Sequence, residues 1–93
     1  MPSESQMIRV AAVQMNPRFA DAEANLATII ARLREAAGGE ADLIVFPECA
    51  LTGYCFESKD EAYRLAEPIP GPSLEAIAQE CHGLNVHCVV GLL

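Results

Sequence analysis

The sequence predicts an α/β fold in which a parallel β-α-β-α-β sheet carries its helices on one face. Three short apolar segments, residues 8–15, 43–46 and 86–93, alternate with longer segments whose apolar residues recur at helical spacing. Crossovers between parallel strands are right-handed, so strands that follow one another in order place both long helices on the same face. The opposite face of the sheet then has no cover from this sequence.

The first strand and the first long helix follow from residues 8–39. Residues 8–15 mix β-branched and small apolar side chains, as strands do. Asp21 is a suitable N-cap for the helix, and Gly38-Gly39 supplies its stop. The inward stripe between them recurs at i, i+3, i+4, i+7 and i+11, and consists of Leu26, Ile29, Ile30, Leu33 and Ala37.

The rest of the chain supplies a second strand, a short helix and a second long helix. Residues 43–46 lack polar alternation, which is typical of a strand covered on both faces. Residues 58–61 fit a capping box that opens a short helix ending before Pro68. Pro72 suits the first position of the second long helix, and Gly83 is its expected terminus. Its predicted inward stripe is Leu74, Ile77, Ala78, Cys81 and Leu84.

A carboxylate, Glu48, follows the second strand directly. Pro47 has no N–H with which to extend a central ladder, so the strand is expected to stop there. Glu48 is then delivered to the carboxyl end of a buried strand, where open α/β sheets place their ligand crevices. On this placement alone a solvated loop glutamate is an equally good interpretation. Gly53, in the loop that follows, is expected to have a positive φ.

The amino-acid sequence of this region resembles a known catalytic motif. Residues 43–54 (LIVFPECALTGY) resemble the first motif of the carbon–nitrogen hydrolase (nitrilase) superfamily, an apolar strand, Phe-Pro-Glu and a loop ending Thr-Gly-Tyr. Residues 9–15 (RVAAVQM) resemble the family's opening strand, and residues 66–74 (AEPIPGPSL) its entry to the second long helix. The resemblance implies that residues 7–93 form an incomplete N-terminal part of the domain, half of a four-layer α-β-β-α sandwich, after a flexible N-terminus at residues 1–6.

The resemblance also implies a chemistry. The superfamily hydrolyses carbon–nitrogen bonds other than peptide bonds through a Glu-Lys-Cys triad, without a cofactor, by forming a covalent intermediate. Glu48 matches the position of the general base, and the end of the apolar strand beside Phe46 is expected to bury its side chain partly, as that role requires. Tyr54 matches a position that lines the substrate pocket in some relatives. The expected substrate is a small amide, carbamoyl compound or nitrile, and relatives form homo-oligomers.

The other two members of the triad are not recognisable in this chain. Lys59 is the only lysine, and it lies in a polar run that fits a solvated helix start. None of the four cysteines has the family's nucleophile setting; Cys49 adjoins Glu48, and in extended backbone neighbouring side chains point to opposite sides. Cys55 is a loop thiol, while Cys81 and Cys88 fit core positions. The chain alone is therefore expected to be inactive. The alternative is a non-catalytic fragment or split-enzyme subunit that docks with a partner supplying the second sheet.

Composition and motif spacing exclude several other functions. The net charge is −7 and no Lys/Arg cluster exists, which argues against nucleic-acid binding. No apolar run approaches the roughly 18 residues of a membrane span, and a basic signal-peptide start is absent. Four cysteines then fit reduced thiols in the cytoplasm. Residues 16–19 lack the glycines of a dinucleotide site, and Cys81-His82 with His87-Cys88 lacks zinc-site spacing, so no metal is predicted.

Overall fold

Three parallel strands and three helices form the fold in a computed structural model that describes residues 7–53 and 56–92. The elements are β1 (Val10–Ala12), α1 (Ala22–Gly38), β2 (Leu43–Val45), α2 (Lys59–Leu65), α3 (Pro72–Leu84) and β3 (His87–Val89). The strand order is β1-β2-β3, and β2 pairs in parallel with both neighbours. The predicted α/β fold with a parallel sheet is confirmed. Within the described residues, the helices are too short or too polar to span a bilayer.

The hydrophobic core lies between one face of the sheet and the two long helices. Ile29 and Leu33 of α1 and Ile77 of α3 are buried against Ile44 of β2. Helices α1 and α3 also contact each other. The alternation of side chains along a strand explains why every second strand residue joins this core. Both long helices therefore cover the same face, as the chain order predicted.

The opposite face of the sheet is largely open. Val10 and Val89 are 59% and 54% exposed, and Leu43 and Val45 of the central strand are only half-buried. The expectation that residues 43–46 are covered on both faces is wrong for this chain, because α1 and α3 lie on the other side. The uncovered face predicted from the right-handed crossovers is present, and it is apolar apart from His87.

The predicted helix ends agree with the structure at all but one position. The Asp21 carboxylate accepts the Ala24 N–H at 3.1 Å and caps α1, which ends at Gly38. Ser58 caps α2 by accepting the Glu61 N–H. Gly83 does not end α3; the helix continues to Leu84, and Asn85 caps it in the left-handed conformation. Asparagine tolerates that conformation because its short polar side chain bonds locally, so it replaces the expected glycine.

The start of α3 has a cap that the sequence did not suggest. Pro72 is the first helical residue, as predicted, and the preceding Gly71 has no side chain with which to cap the helix. The Glu67 carboxylate does so instead, accepting the Ser73 N–H at 3.1 Å and the Ser73 hydroxyl at 2.6 Å. Ala78, predicted to face inward, is exposed, because the buried line of this helix runs through Ser73 and Ile77.

The strands are shorter than predicted. The apolar segments 8–15 and 86–93 contribute only three residues each to the ladder. Each outer strand pairs only with β2 in the described part of the chain, and β2 ends as Pro47 approaches. Beyond these three residues the outer segments make only isolated backbone hydrogen bonds, such as Val13 N–H to the Val45 carbonyl and Ala50 N–H to the Gly91 carbonyl, and they leave the regular ladder.

An ion pair joins the two long helices on their outer side. Arg34 of α1 donates through Nε and Nη2 to the two carboxylate oxygens of Glu80 in α3, at 2.6 and 3.0 Å. This two-point contact raises the pKa of Arg34 and lowers the pKa of Glu80, chiefly through the side-chain hydrogen bond. The pair links α1 to α3 at their solvent edge, where water screens it and limits its contribution to stability.

Candidate active site

Glu48 lies just beyond the carboxyl end of β2, the central strand. Phe46 still pairs with β3, because its N–H donates to the Val89 carbonyl at 2.8 Å. Pro47 has no N–H to donate, and the backbone then enters a turn that spans residues 48–52. Glu48 therefore occupies the edge of the sheet at which α/β proteins bind their ligands.

The Glu48 side chain is exposed to solvent, which differs from the partial burial that the sequence suggested. The expected source of that burial was Phe46, which is itself only 5% exposed. Phe46 packs into the core together with Ile44, two residues earlier on the same side of the strand. The aromatic ring therefore fills the core and leaves the carboxylate in water.

The backbone of Glu48 is packed tightly against the segment that follows β3. A Cβ atom placed on Gly91 would lie 2.7 Å from the Glu48 Cα and 3.2 Å from its Cβ. The Gly91 carbonyl also accepts the Ala50 N–H at 3.2 Å. Gly91 thus allows the two chain segments to approach within a distance that any side chain would prevent.

Buried residues of the turn after Glu48 anchor this turn to the core. Ala50, Leu51 and Thr52 are 0%, 3% and 3% exposed, respectively. The Cys49 carbonyl accepts the N–H groups of Thr52 and Gly53, at 3.3 and 2.8 Å. This loop, residues 48–53, is therefore a compact turn whose apolar side anchors it to the core.

A second anchor comes from the segment that connects β1 to α1. The Ala20 N–H donates to the Thr52 carbonyl at 2.9 Å. The side chain of Asn25, near the start of α1, donates to the Leu51 carbonyl at 2.6 Å. Glu48 is thus followed by a loop that is bonded both to the exit of β3 and to the start of α1.

Asn25 and Gly91 were not among the predicted site residues, although each has a signal in the sequence. Asn25 precedes Ile29 by four residues and Leu33 by eight, so it is a polar residue on the buried stripe of α1. Gly91 stands inside an apolar segment predicted to be a strand, where a glycine often marks the close approach of another backbone.

Two aromatic residues flank the far end of the loop. The rings of Phe19 and Phe56 meet edge to face, with centroids 5.5 Å apart. Gly53 has the positive φ that the sequence predicted, 73°, and a Cβ on it would lie 3.4 Å from the Phe19 Cα. The predicted substrate contact Tyr54 and the loop thiol Cys55 lie outside the described residues.

Among residues 7–53 and 56–92, the structure brings no lysine or cysteine to Glu48 in the manner of a triad. Lys59 is exposed at the first position of α2, as a solvated helix start would be. Cys49 is half-buried, and its φ of 50° is left-handed, so the extended geometry assumed for it is wrong. Because Pro47 ends the strand, the turn begins at Glu48, and Cys49 therefore lies within the turn and not in extended backbone.

Cys81 and Cys88 are half-buried thiols at the junction of α3 and β3. Burial raises the pKa of Cys81. Burial, and then the neighbouring Cys81 thiol, raise the pKa of Cys88 to about 12. A nucleophilic cysteine needs its pKa lowered, so both environments are those of packing residues.

The high pKa of Cys88 predicts slow alkylation. At pH 8 its thiolate fraction is roughly a thousandfold below that of a thiol with the ordinary pKa of 9.0. The greater nucleophilicity of a more basic thiolate offsets part of this, leaving a rate about fortyfold lower. Peptide mapping after timed treatment with iodoacetamide should show this deficit relative to the chain unfolded in urea. Equal rates in the two states would contradict the buried environment.

Neither histidine contributes to a cluster. His82 is exposed in the last turn of α3, and His87 is exposed at the first position of β3. Across residues 7–53 and 56–92, no group of three or more His, Cys, Asp or Glu side chains converges as a metal site would require.

A cavity of about 540 Å³ lies at the other edge of the sheet, before the strands begin. Its lining residues are Met7, Ile8, Asp42, Leu43, Asn85 and His87. Glu48 is not among them, and ligands of open α/β sheets bind at the carboxyl edge. The cavity at the amino edge therefore does not compete with Glu48 as the candidate site.

The sequence profile of one family matches most of this chain. The Carbon-nitrogen hydrolase profile matches residues 9–93. The chain belongs to the carbon–nitrogen hydrolase family. The resemblance found in residues 43–54 is thus confirmed, and it extends over nearly the whole sequence.

Two relatives show how much of a carbon–nitrogen hydrolase this chain represents. It is 34% identical over 86 residues to a nitrilase of Pyrococcus abyssi, covering 91% of this chain and 33% of that protein. It is 36% identical over 87 residues to a glutamine-dependent NAD(+) synthetase of Thermotoga maritima, covering 92% of this chain and 15% of the synthetase. The chain therefore spans about a third of the nitrilase and a smaller share of the synthetase.

A solved structure supports the fold of this family member. The chain superposes with a TM-score of 0.62 on the glutamine-dependent NAD+ synthetase from Acinetobacter baumannii, solved in complex with adenosine diphosphate. The match covers 91% of this chain and 15% of the synthetase, at 24% sequence identity. At that identity the likeness concerns the fold alone.

Proposed function

We propose that this chain supplies the general base, Glu48, for the hydrolysis of a non-peptide carbon–nitrogen bond. The substrate class is a small amide, carbamoyl compound or nitrile. The observation that carries the proposal is the location of Glu48 at the carboxyl edge of the central strand, within the motif of residues 43–54, on a loop fixed by Gly91. Membership of the carbon–nitrogen hydrolase family supports it.

The proposed chemistry follows the triad of the family. The Glu48 carboxylate takes the proton of a cysteine thiol, and the thiolate attacks the carbon of the amide or nitrile. A lysine ammonium stabilises the charge that develops on the substrate in the transition state. In the amide case, ammonia or an amine leaves, and water activated by the same carboxylate hydrolyses the thioester; a nitrile first forms a thioimidate, which a water molecule converts to the thioester as ammonia leaves.

We assign the lysine and the cysteine to polypeptide outside this sequence. Lys59 and the described cysteines have the environments of surface or packing residues, and the chain spans only 33% of the nitrilase it matches. The missing part would also have to shield Glu48 from water, because partial burial makes a carboxylate a stronger base. Tyr54, next to this loop, is proposed to contact the substrate.

The completed protein is the system in which to test this proposal. A chimera should carry this sequence in place of the matching third of the Pyrococcus abyssi nitrilase, and ammonia release should be measured with short amides, carbamoyl compounds and nitriles. We expect turnover from the folded chimera and none from the 93-residue chain alone. A chimera that is folded by circular dichroism yet inactive on all three classes would contradict the proposal, as would robust turnover by the lone chain.

A second candidate function is a non-catalytic subunit that docks with a partner supplying the second sheet. The exposed valines Val10 and Val89 favour it, since a contiguous apolar sheet face marks an interface. Under this proposal the lone chain associates, either with itself or with the missing half. Sedimentation of the chain as a well-folded monomer at all concentrations would count against it.

We further propose that the protein works in the cytoplasm. The support is chemical: the three described cysteines are all free, and the thiols of Cys81 and Cys88 are packed as reduced side chains. Fractionation of cells that express the full-length protein would test the location directly.

A further inference from the structure

The side chain of Asn25, a residue of α1, makes three hydrogen bonds to backbone groups outside that helix. It is 2% exposed. Its Oδ1 accepts the Arg18 N–H at 2.7 Å, and its Nδ2 donates to the carbonyls of Arg18 and Leu51, at 2.7 and 2.6 Å. Both N–H groups of the carboxamide are therefore used, each on a different loop.

These bonds connect the two loops that form the carboxyl edge of the sheet. Arg18 lies in the connection from β1 to α1, and Leu51 lies three residues after Glu48. The bond from the Ala20 N–H to the Thr52 carbonyl runs beside them. One buried amide thus joins the start of α1 to the loop that carries the carboxylate.

We propose that Asn25 is a positioning residue for Glu48. The inference rests on the proposed function, in which Glu48 is the general base. A base must be held within a fraction of an ångström of the proton it takes, and misplacement by about 1 Å costs roughly a hundredfold in rate. Asn25 restrains the loop at Leu51, while Gly91 contacts it at Glu48 and Ala50, so the loop is held at separate points after and at the carboxylate.

The chemistry of the site is specific for asparagine. Aspartate has nearly the same shape but lacks both donors, and it would place a carboxylate against the carbonyls of Arg18 and Leu51. Alanine would leave the buried Leu51 carbonyl without its Asn25 partner and would remove two part-buried bonds to the Arg18 backbone, at a cost in stability. A matched control lies one turn further along α1: Thr28 is exposed, and its hydroxyl bonds only to the Ala24 carbonyl of the same helix.

The first test uses the full chain and amide hydrogen exchange. The N–H groups of Ala50, Thr52 and Gly53 report on the loop, and those of the core residues Ile44 and Ile77 report on the whole fold. In Asn25→Asp we expect the loop amides to exchange at least about tenfold faster, with the core amides changed less than twofold. Thr28→Ala should match the parent at every position.

Two results would overturn the inference from exchange alone. One is equal acceleration of loop and core amides, which is the signature of general destabilisation. The other is no change in the loop. If Asn25→Asp does not fold, the milder Asn25→Ser is measured in the same way; failure of both to fold assigns Asn25 to the fold as a whole and also overturns the positioning role.

The second test uses turnover by the chimera. We expect Asn25→Asp to lower kcat by about 10- to 100-fold while KM stays within about twofold, because the substrate still binds but the base is misplaced. Retention of full turnover by Glu48→Gln would refute the proposed function itself. Loss of turnover in Glu48→Gln with an unchanged kcat in Asn25→Asp would refute only the positioning role. A folded chimera without turnover contradicts the proposed function, and the exchange result then decides only whether Asn25 restrains the loop of residues 48–53.

Discussion

Glutamine at position 48 is expected to lower kcat of the chimera by about 10²- to 10⁴-fold, the range that a positioned general base contributes. Glu48→Gln keeps the size and the hydrogen-bonding reach of the side chain but removes its capacity to accept a proton at neutral pH. Because the side chain is exposed, the substitution should leave the fold intact. Steady-state ammonia release with and without the substitution measures the effect.

The matched control is Glu75→Gln, the same change at an exposed position in the first turn of α3. We expect it to retain turnover within about twofold, since no described contact links Glu75 to the loop of residues 48–53. Glu48→Asp keeps the charge on a shorter side chain, and its kcat should lie between those of the parent and Glu48→Gln. Equal activities of Glu48→Gln and Glu75→Gln would remove Glu48 from the mechanism.

Alanine at position 91 is expected to displace Glu48 and to destabilise the fold. Its Cβ would lie 2.7 Å from the Glu48 Cα and 3.3 Å from the Cys49 N, distances at which the two segments must separate. Overpacking of this kind costs about 1–3 kcal/mol. The backbone of Gly91 is outside the left-handed region, so the effect of Gly91→Ala arises from the contact and not from backbone strain.

Urea unfolding of the full chain measures the loss of stability in Gly91→Ala. Gly83→Ala is the matched control, because a Cβ at position 83 has no neighbour within 4 Å and lies inside α3. Alanine is the better helix former, so this control should be neutral or stabilising by up to about 1 kcal/mol. In the chimera, Gly91→Ala should also lower kcat. Unchanged stability and unchanged turnover in Gly91→Ala would mean that the contact with Glu48 imposes no constraint.

The helices of this chain could be predicted because their signals are local. Asp21 and Ser58 cap their helices within three residues of themselves, and Pro72 fixes the first turn of α3 by its own ring. The predicted end of α3 at Gly83 was wrong because a glycine near a helix end is compatible with either continuation or termination of the helix. Asn85 decided the point by taking the left-handed conformation two residues later.

The candidate site could be predicted only in part, because its restraints join residues that are distant in sequence. The motif identifies Glu48 and predicts the end of the strand at Pro47. Gly91 lies 43 positions after Glu48, and Asn25 lies 26 positions before Leu51. Neither contact has a local signature strong enough to name its partner. The assumed burial of Glu48 by Phe46 was wrong for the same reason, since packing sends that ring into the core.

The sequence by itself determined the order of the elements, the parallel sheet with both long helices on one face, and the carboxylate at the carboxyl end of its central strand. Hydrophobic periodicity, helix capping and the missing N–H of proline act over a few residues, so they can be recognised in the sequence alone. The tertiary structure alone decided that Glu48 stays exposed in this chain and that Gly91 and Asn25 hold its loop at different points. Close packing and buried hydrogen bonds depend on which distant segments meet, and only the folded chain specifies that.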